Sequence, residues 1–160
     1  MSHASAPHEN APVASSGGFD ADLVFLERWA GPLGLLARAM LAYVFFAEGV
    51  GKIVNYADVV GYMQFHGVDG RLLPLAILTE IVGPLLIVAG FKTRWAAVAL
   101  SVFCVLAALL FHVGGGYDET LQLQKDVAMG GGFLALALLG PGPWSIDAWR
   151  KRTGTRAAGG

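Results

Sequence analysis

The chain has 160 residues, of which 55% are hydrophobic and only 14% charged, with a formal net charge of −1 and a mean hydropathy of +0.57. Soluble domains carry about a quarter charged residues, so this composition excludes an ordinary soluble protein, and a near-zero net charge gives no electrostatic basis for nucleic-acid binding. The lone Cys104 excludes an intramolecular disulfide, a paired-thiol redox centre and a cysteine-cluster metal site; within LSVFCVLAALLF it reads as a small hydrophobe.

Residues 1–18, MSHASAPHENAPVASSGG, are too poor in large apolar side chains to offset chain entropy and are predicted to form a disordered tail. The tail lacks the basic start and apolar run of a signal peptide, and His3 and His8 within it read as incidental. In FDADLVFLERWA, residues 19–30, Phe19, Leu23, Leu26 and Ala30 recur at helical spacing, and Trp29 suits the headgroup layer. This pattern predicts a short interfacial helix ended by Gly31-Pro32.

Four membrane spans are expected next, at about 33–53, 72–90, 95–113 and 121–139, each near the ~20 residues that a hydrocarbon core of ~30 Å requires. The fourth carries Lys125 and Asp126 in its first turns, which leaves room for a tilted or partly submerged helix. Together with short interfacial helices, these segments predict an all-α fold, a four-transmembrane-helix bundle formed as one domain over residues 19–150, with a basic tail over 151–160. The connection NYADVVGYMQFHGVDGR reads as a short helix lying on the membrane, with Asn55 as its cap and Gly67 as its stop. GGGYDET reads as a mobile loop, and PGPWSIDAWRKR as an interfacial anchor with two tryptophans and a basic cluster.

Arg28, Lys92, Arg94, Arg150, Lys151, Arg152 and Arg156 fall on one side of this topology and Arg71 on the other. The positive-inside rule therefore predicts both termini in the cytoplasm of a multi-pass inner-membrane protein. Depth along the helices, at 1.5 Å per residue, sends Arg38 toward the inner boundary, where it is expected to snorkel. Glu48, Lys52, Glu80, His112 and Lys125 converge instead on the outer half. A charge near the bilayer centre costs at least ~2.5 kcal/mol unless it is paired or hydrated. The expected solution is one polar cavity beneath the outer face, with Pro84 freeing the Glu80 carbonyl at the same level. Small residues four apart, Ala47 with Gly51, Ala128 with Gly132 and Gly131 with Ala135, are expected to let the helices approach closely. None of these residues has the spacing of a metal site.

Taken together, RAMLAYVFFAEGVGKI with its closing Gly49-x-x-Lys52, the His66-Gly67-Val68 stretch, LTEIVGPLLIVAGFKTRWAA, the FHV ending of the third span and QKDVAMGGGFLALALLGPGPWSID resemble the DoxX family of small four-helix membrane proteins. The resemblance implies a bacterial inner-membrane protein associated with oxidoreductase systems or quinone reduction, with Arg38, Lys52, Glu80 and Lys125 at the family's polar positions. Glu48 stands where the family often has a small polar residue, and Lys125-Asp126 replaces a common Lys-Asn pair. The first reading is then a subunit or partner of a membrane redox system whose cavity binds a quinone or another small molecule. In that reading Lys52, Lys125, His112 and Arg38 bind the ligand, Glu80 and Glu48 transfer protons, and a redox partner protein supplies electrons. A proton or small-solute transporter and a non-catalytic assembly or anchoring factor are the alternatives, and a homo-oligomer fits any of them.

Overall fold

The computed structural model of the protein describes residues 17–157, and all regular structure among them is helical. Of the tail expected over 1–18, residues 1–16, with His3 and His8, lie outside the described residues, while Gly17 opens helix α1, Gly17–Val54. Five shorter helices follow: α2, Tyr56–Phe65; α3, Leu73–Ala89; α4, Thr93–Phe111; α5, Tyr117–Leu139; and α6, Ile146–Ala157. A single tight turn, Gly70–Leu72, leads into α3.

The expected break at Gly31-Pro32 does not occur. Pro32 lies inside α1, whose 38 residues extend for about 57 Å at 1.5 Å per residue. Pro32 removes one backbone donor and leaves the Arg28 carbonyl without its helical partner, which one long helix tolerates. Gly31 has a packing reason instead: a Cβ there would lie 2.5 Å from Nε1 of Trp144, so the missing side chain makes room for that indole.

Among the described residues, three helices are long and apolar enough to cross a membrane: Val24–Val54, Gly70–Ala89 and Thr93–Phe111. Their outward faces carry large apolar residues such as Leu36, Met40, Leu78, Leu85, Val102 and Leu109, all exposed, as expected of surfaces solvated by lipid. The charged first half of α5, with Asp118, Glu119, Lys125 and Asp126, keeps that helix out of this group, and it runs alongside the others.

The long helices pack as two pairs, α1 against α3 and α4 against α5. The pairs meet in a core of Ala42, Phe45, Ile87, Ala97, Leu100, Cys104 and Phe133. Phe45 is the hinge pin of this core, edge-on to Phe133 at 5.3 Å and to Phe103 at 5.9 Å between ring centroids. Close approach is permitted by Gly83, where a Cβ would lie 2.8 Å from Leu100, and by Gly130, where it would lie 3.3 Å from Cys104. Of the expected small-residue pairs, Ala128 with Gly132 permits close approach, since a Cβ on Gly132 would lie 3.1 Å from Leu41, whereas a Cβ on Gly51 or Gly131 would meet nothing within 4 Å. Cys104 is buried in this core, in keeping with its reading as a small hydrophobe.

The α6 end of the bundle is tied by charged caps. Arg38, 1% exposed, does not snorkel. Its guanidinium donates to the carbonyls of Ile87 at 3.1 Å and Val88 at 2.9 Å, to Gly34 at 3.3 Å, and to Trp144. Ile87 and Val88 lie in the last turn of α3, where carbonyls run short of helical partners and the dipole favours a cation; Ile87 also accepts from the Gly90 N–H at 3.2 Å. Arg94 does the same for α5, donating to Ala137 at 2.8 Å and Leu138 at 2.7 Å. The N-terminus of α4 is capped from a distance: Asp147 accepts from the backbone N–H of Lys92 at 2.9 Å and of Thr93 at 3.0 Å, and from the Thr93 hydroxyl. Gly90, at φ 69°, closes the knot, because a Cβ there would collide with Ser145 and the Arg38 guanidinium.

Candidate functional site

The two helix pairs meet toward the α6 end and separate toward α2. Between them lies a cavity of about 830 Å³, within the roughly 300–1,000 Å³ typical of small-molecule sites. Phe45, Leu73, Phe103 and Met129 give it apolar walls, and α2 covers it with Val59, Tyr62 and Met63. Its ionisable lining includes Glu48, Lys52, Glu80, His112, Lys125 and Asp126, with Asn55, Thr79 and Gln122 as further polar groups.

These side chains form two linked groups. In the first, Lys52 reaches from α1 to Glu80 Oε1 on α3 at 2.9 Å and to Glu48 Oε2 at 3.6 Å. Lys125 on α5 holds the other oxygen of Glu48 at 3.2 Å, so one chain of alternating charge crosses three helices. In the second, His112 places Nδ1 2.5 Å from Glu119 Oε2 and Nε2 3.6 Å from Asp126 Oδ2, joining the end of α4 to the start of α5.

Glu80 is the outlier. The residue is only 4% exposed, and while Oε1 takes the Lys52 ion pair, Oε2 is buried with no hydrogen-bond partner among the described residues. Leaving a buried acceptor unmade costs ~1–3 kcal/mol, more for a charged group. Glu80 is held in place by Gly49 of α1, where a Cβ would lie 3.0 Å from the Glu80 Cβ. The backbone of α1 thus approaches α3 closely enough for Lys52 to reach the carboxylate.

The lid is tied down by aromatic and polar contacts. Tyr62 stacks on Phe111 at 5.7 Å and 25° and donates its hydroxyl to Glu119 Oε1 at 3.3 Å. Burial first, and then the Glu119 carboxylate, hold the Tyr62 phenol above its ordinary pKa, so it remains a donor at neutral pH. The hydrogen bond with His112 is the main cause that holds the Glu119 carboxyl below the usual range. Gly67, at φ 75°, ends α2 as expected, but Asn55 makes no side-chain cap and donates to the Gly51 carbonyl instead.

A family model described as DoxX matches residues 33–113, which contain Lys52, Glu80 and His112, the second half of α1 and all of α3 and α4. The inner membrane protein YqjF of Escherichia coli is 43% identical over 71% of this chain and 88% of its own length. The chain belongs to the DoxX family. A second Escherichia coli relative, the inner membrane protein YphA, is 31% identical over 71% of this chain and 86% of its own. The uncharacterized membrane protein Rv3486 of Mycobacterium tuberculosis is 29% identical over 72% of this chain and 80% of its own. No solved structure matches the chain at a significant level. The protein is thus a DoxX-family inner membrane protein, set in a lipid bilayer.

Of the residues singled out in the sequence, this DoxX-family fold brings Glu48, Lys52, Glu80, His112 and Lys125 together at one cavity. Arg38 does not join them, since its donors are engaged by carbonyls at the α6 end. Three participants went unnoticed in the sequence as members of the site: Glu119, Tyr62 and, as a partner of His112, Asp126. Glu119 was hidden because GGGYDET reads as a loop, whereas α5 already begins at Tyr117. The acids Asp118 and Glu119 in that first turn are the signal of a helix N-terminus that marks the start earlier.

Proposed function

We propose that this DoxX-family protein binds a quinone, or a small molecule like it, in the cavity under α2 and serves as a subunit or partner of a membrane redox system. The observation that carries the reading is Glu80: a buried carboxylate with one oxygen on Lys52 and the other unpartnered, facing a largely apolar cavity of ligand size. The ionised Oε2 accepts from a quinol hydroxyl, and a protonated Glu80 donates to a quinone carbonyl, so a ligand with two ring oxygens suits that arrangement. Lys52 and Lys125 polarise its oxygens, Glu80 gives a proton to the nearer one as the ring is reduced, and Glu48, between the two lysines, returns a proton to Glu80. Reduction of a quinone to its quinol takes two electrons and two protons; the electrons are assigned to a partner redox protein, because no side chain at the site carries them.

In this reading α5 is the fourth span and both termini face the cytoplasm. Arg94, Arg150, Lys151 and Arg152 gather at the α6 end, which the positive-inside rule places inside, and the cavity then lies beneath the outer face. The transport reading receives less support, because Arg38, its second polar station, is spent on capping α3.

The test is to purify the protein into nanodiscs, assay retained and added quinone, and follow quinone reduction with membranes supplying the electron donors. Saturable quinone binding that weakens in Glu80→Gln and Lys52→Met is expected. Protein that retains no quinone and binds none that is added overturns the reading.

A further inference from the structure

Two seams between the helix pairs, α1 with α5 and α3 with α4, border the cavity, and their linings differ in chemistry. On the α1/α5 side the gap is bridged by the Glu48–Lys125 ion pair at 3.2 Å. On the α3/α4 side Glu80, turned to Lys52 of α1, is the only charged residue of the two helices that lines it among the described residues. There the cavity wall is built by Leu75, Ala76 and Thr79 of α3 and by Leu106, Ala107 and Leu110 of α4. Leu75, Leu106 and Leu110 are also exposed, at 61%, 51% and 50%, more than burial against the protein alone would leave them. The same side chains thus border the interior cavity and the surface that faces lipid.

The cause lies lower in the same helix pair. Gly83 lets α3 and α4 touch, with its missing Cβ 2.8 Å from Leu100, and toward α2 no glycine of either helix continues that close approach. Ala76 and Ala107 then leave the rim low where larger residues would fill it.

We infer that the α3/α4 gap is a lateral portal through which an amphiphile of the bilayer, with a small oxygen-bearing head and an apolar tail, takes its place in the cavity. The head lies at Glu80, whose second oxygen is unpartnered and buried, within reach of the Lys52 cation. The tail leaves between α3 and α4 and stays in the hydrocarbon. This inference rests on the proposed quinone reading and adds the route, the orientation and the requirement for a tail. A water-soluble ligand has no use for such a portal: it would pass α2 or the charged α1/α5 gap.

The experiment uses the full chain in nanodiscs and two probes, a chainless methoxylated benzoquinone and its decyl-tailed homologue, with binding followed by stopped-flow quenching of tryptophan fluorescence. Ala107→Trp fills the rim, and Ala107→Leu is a milder second variant that guards against misfolding. The expected result is that Ala107→Trp slows association of the tailed quinone by about tenfold or more, with Ala107→Leu in between. Because Ala107 also lines the cavity, the chainless quinone is expected to slow as well, but by less than about threefold in either variant, so the ratio of the two rates carries the test and retained chainless binding reports that the variants are folded. Equal slowing of both probes, or slowing of the tailed quinone by Ala47→Trp at the α1/α5 gap and not by Ala107→Trp, overturns the portal while leaving quinone binding intact. Failure of either quinone to bind the wild type overturns the portal together with the reading beneath it.

Discussion

Lys52 Nζ lies 2.9 Å from Glu80 Oε1, and this contact between α1 and α3 is the innermost link of the charged chain that continues to Glu48 and Lys125. Two charges removed from water stay favourable only as a pair, and removing one partner of a buried pair typically costs ~3–5 kcal/mol because the other is left uncompensated. Lys52→Met is therefore expected to destabilise the protein by about that amount, less whatever Glu48 and protonation of Glu80 recover. Glu80→Gln is expected to cost less, and the double variant less than the sum of the two. Thermal unfolding of the four proteins of this cycle in one detergent checks it; additive losses would show that the pair is not coupled.

At the opposite end, Arg38 binds three separated backbone segments through one planar fork. Lysine cannot reproduce that geometry. Each hydrogen bond to a charged group is worth ~1.5–3 kcal/mol, so Arg38→Lys is expected to lower the unfolding temperature markedly, and Gly90→Ala to do the same by colliding with Ser145 and Arg38. Neither change touches the cavity. Quinone affinity of the folded fraction is expected to stay within about twofold, measured by titration beside the unfolding scan.

Asp147 caps α4 from α6. Burial alone would raise its pKa, but the backbone N–H groups of Thr93 and Lys92 outweigh this and hold it below its ordinary value. A depressed folded pKa contributes stability that is fully present above the unfolded value, near ~3.9, and is lost as pH falls through the lower folded value. Asp147→Ala is expected to cost ~1 kcal/mol, as loss of a helix cap does, at neutral pH. The variant is also expected to lose less stability than wild type on acidification below about pH 4, which a pH series of unfolding temperatures would show.

The lid over the cavity responds to Glu119 in a similar way. Its carboxyl is held low chiefly by His112, so its grip on His112 and Tyr62 is present above the ordinary carboxylate range and lost as pH falls through the lower folded value. Glu119→Gln keeps the size and removes the charge. Faster hydrogen exchange across α2 at neutral pH is expected in this variant, approaching what wild type shows in acid; identical exchange in both would mean that Tyr62 and Phe111 hold the lid by themselves.

The helical class and the three apolar spans were legible in the sequence because run length and hydropathy report directly on burial in lipid. The convergence of Glu48, Lys52, Glu80, His112 and Lys125 was legible too, since antiparallel helices with short connections fix depth from residue count. What the sequence hid were partners distant along the chain. Arg38 looked like a snorkelling cation because the carbonyls it caps lie 49, 50 and 106 residues away. Gly31-Pro32 looked like a break because nothing local announces that Trp144 packs on the glycine. Glu119 sat inside a glycine-rich stretch whose second half is already helix. In each case local chemistry pointed one way and a tertiary contact decided otherwise.

The central claim is that Glu80 forms the polar floor of a quinone-type site. The most direct measurement is native mass spectrometry of gently extracted protein, comparing wild type with Glu80→Ala prepared from the same cells. A bound small molecule of quinone mass on the wild type, lost from the folded variant, is the predicted result. Equal occupancy in both proteins, or a wild type that carries only phospholipid, would contradict it.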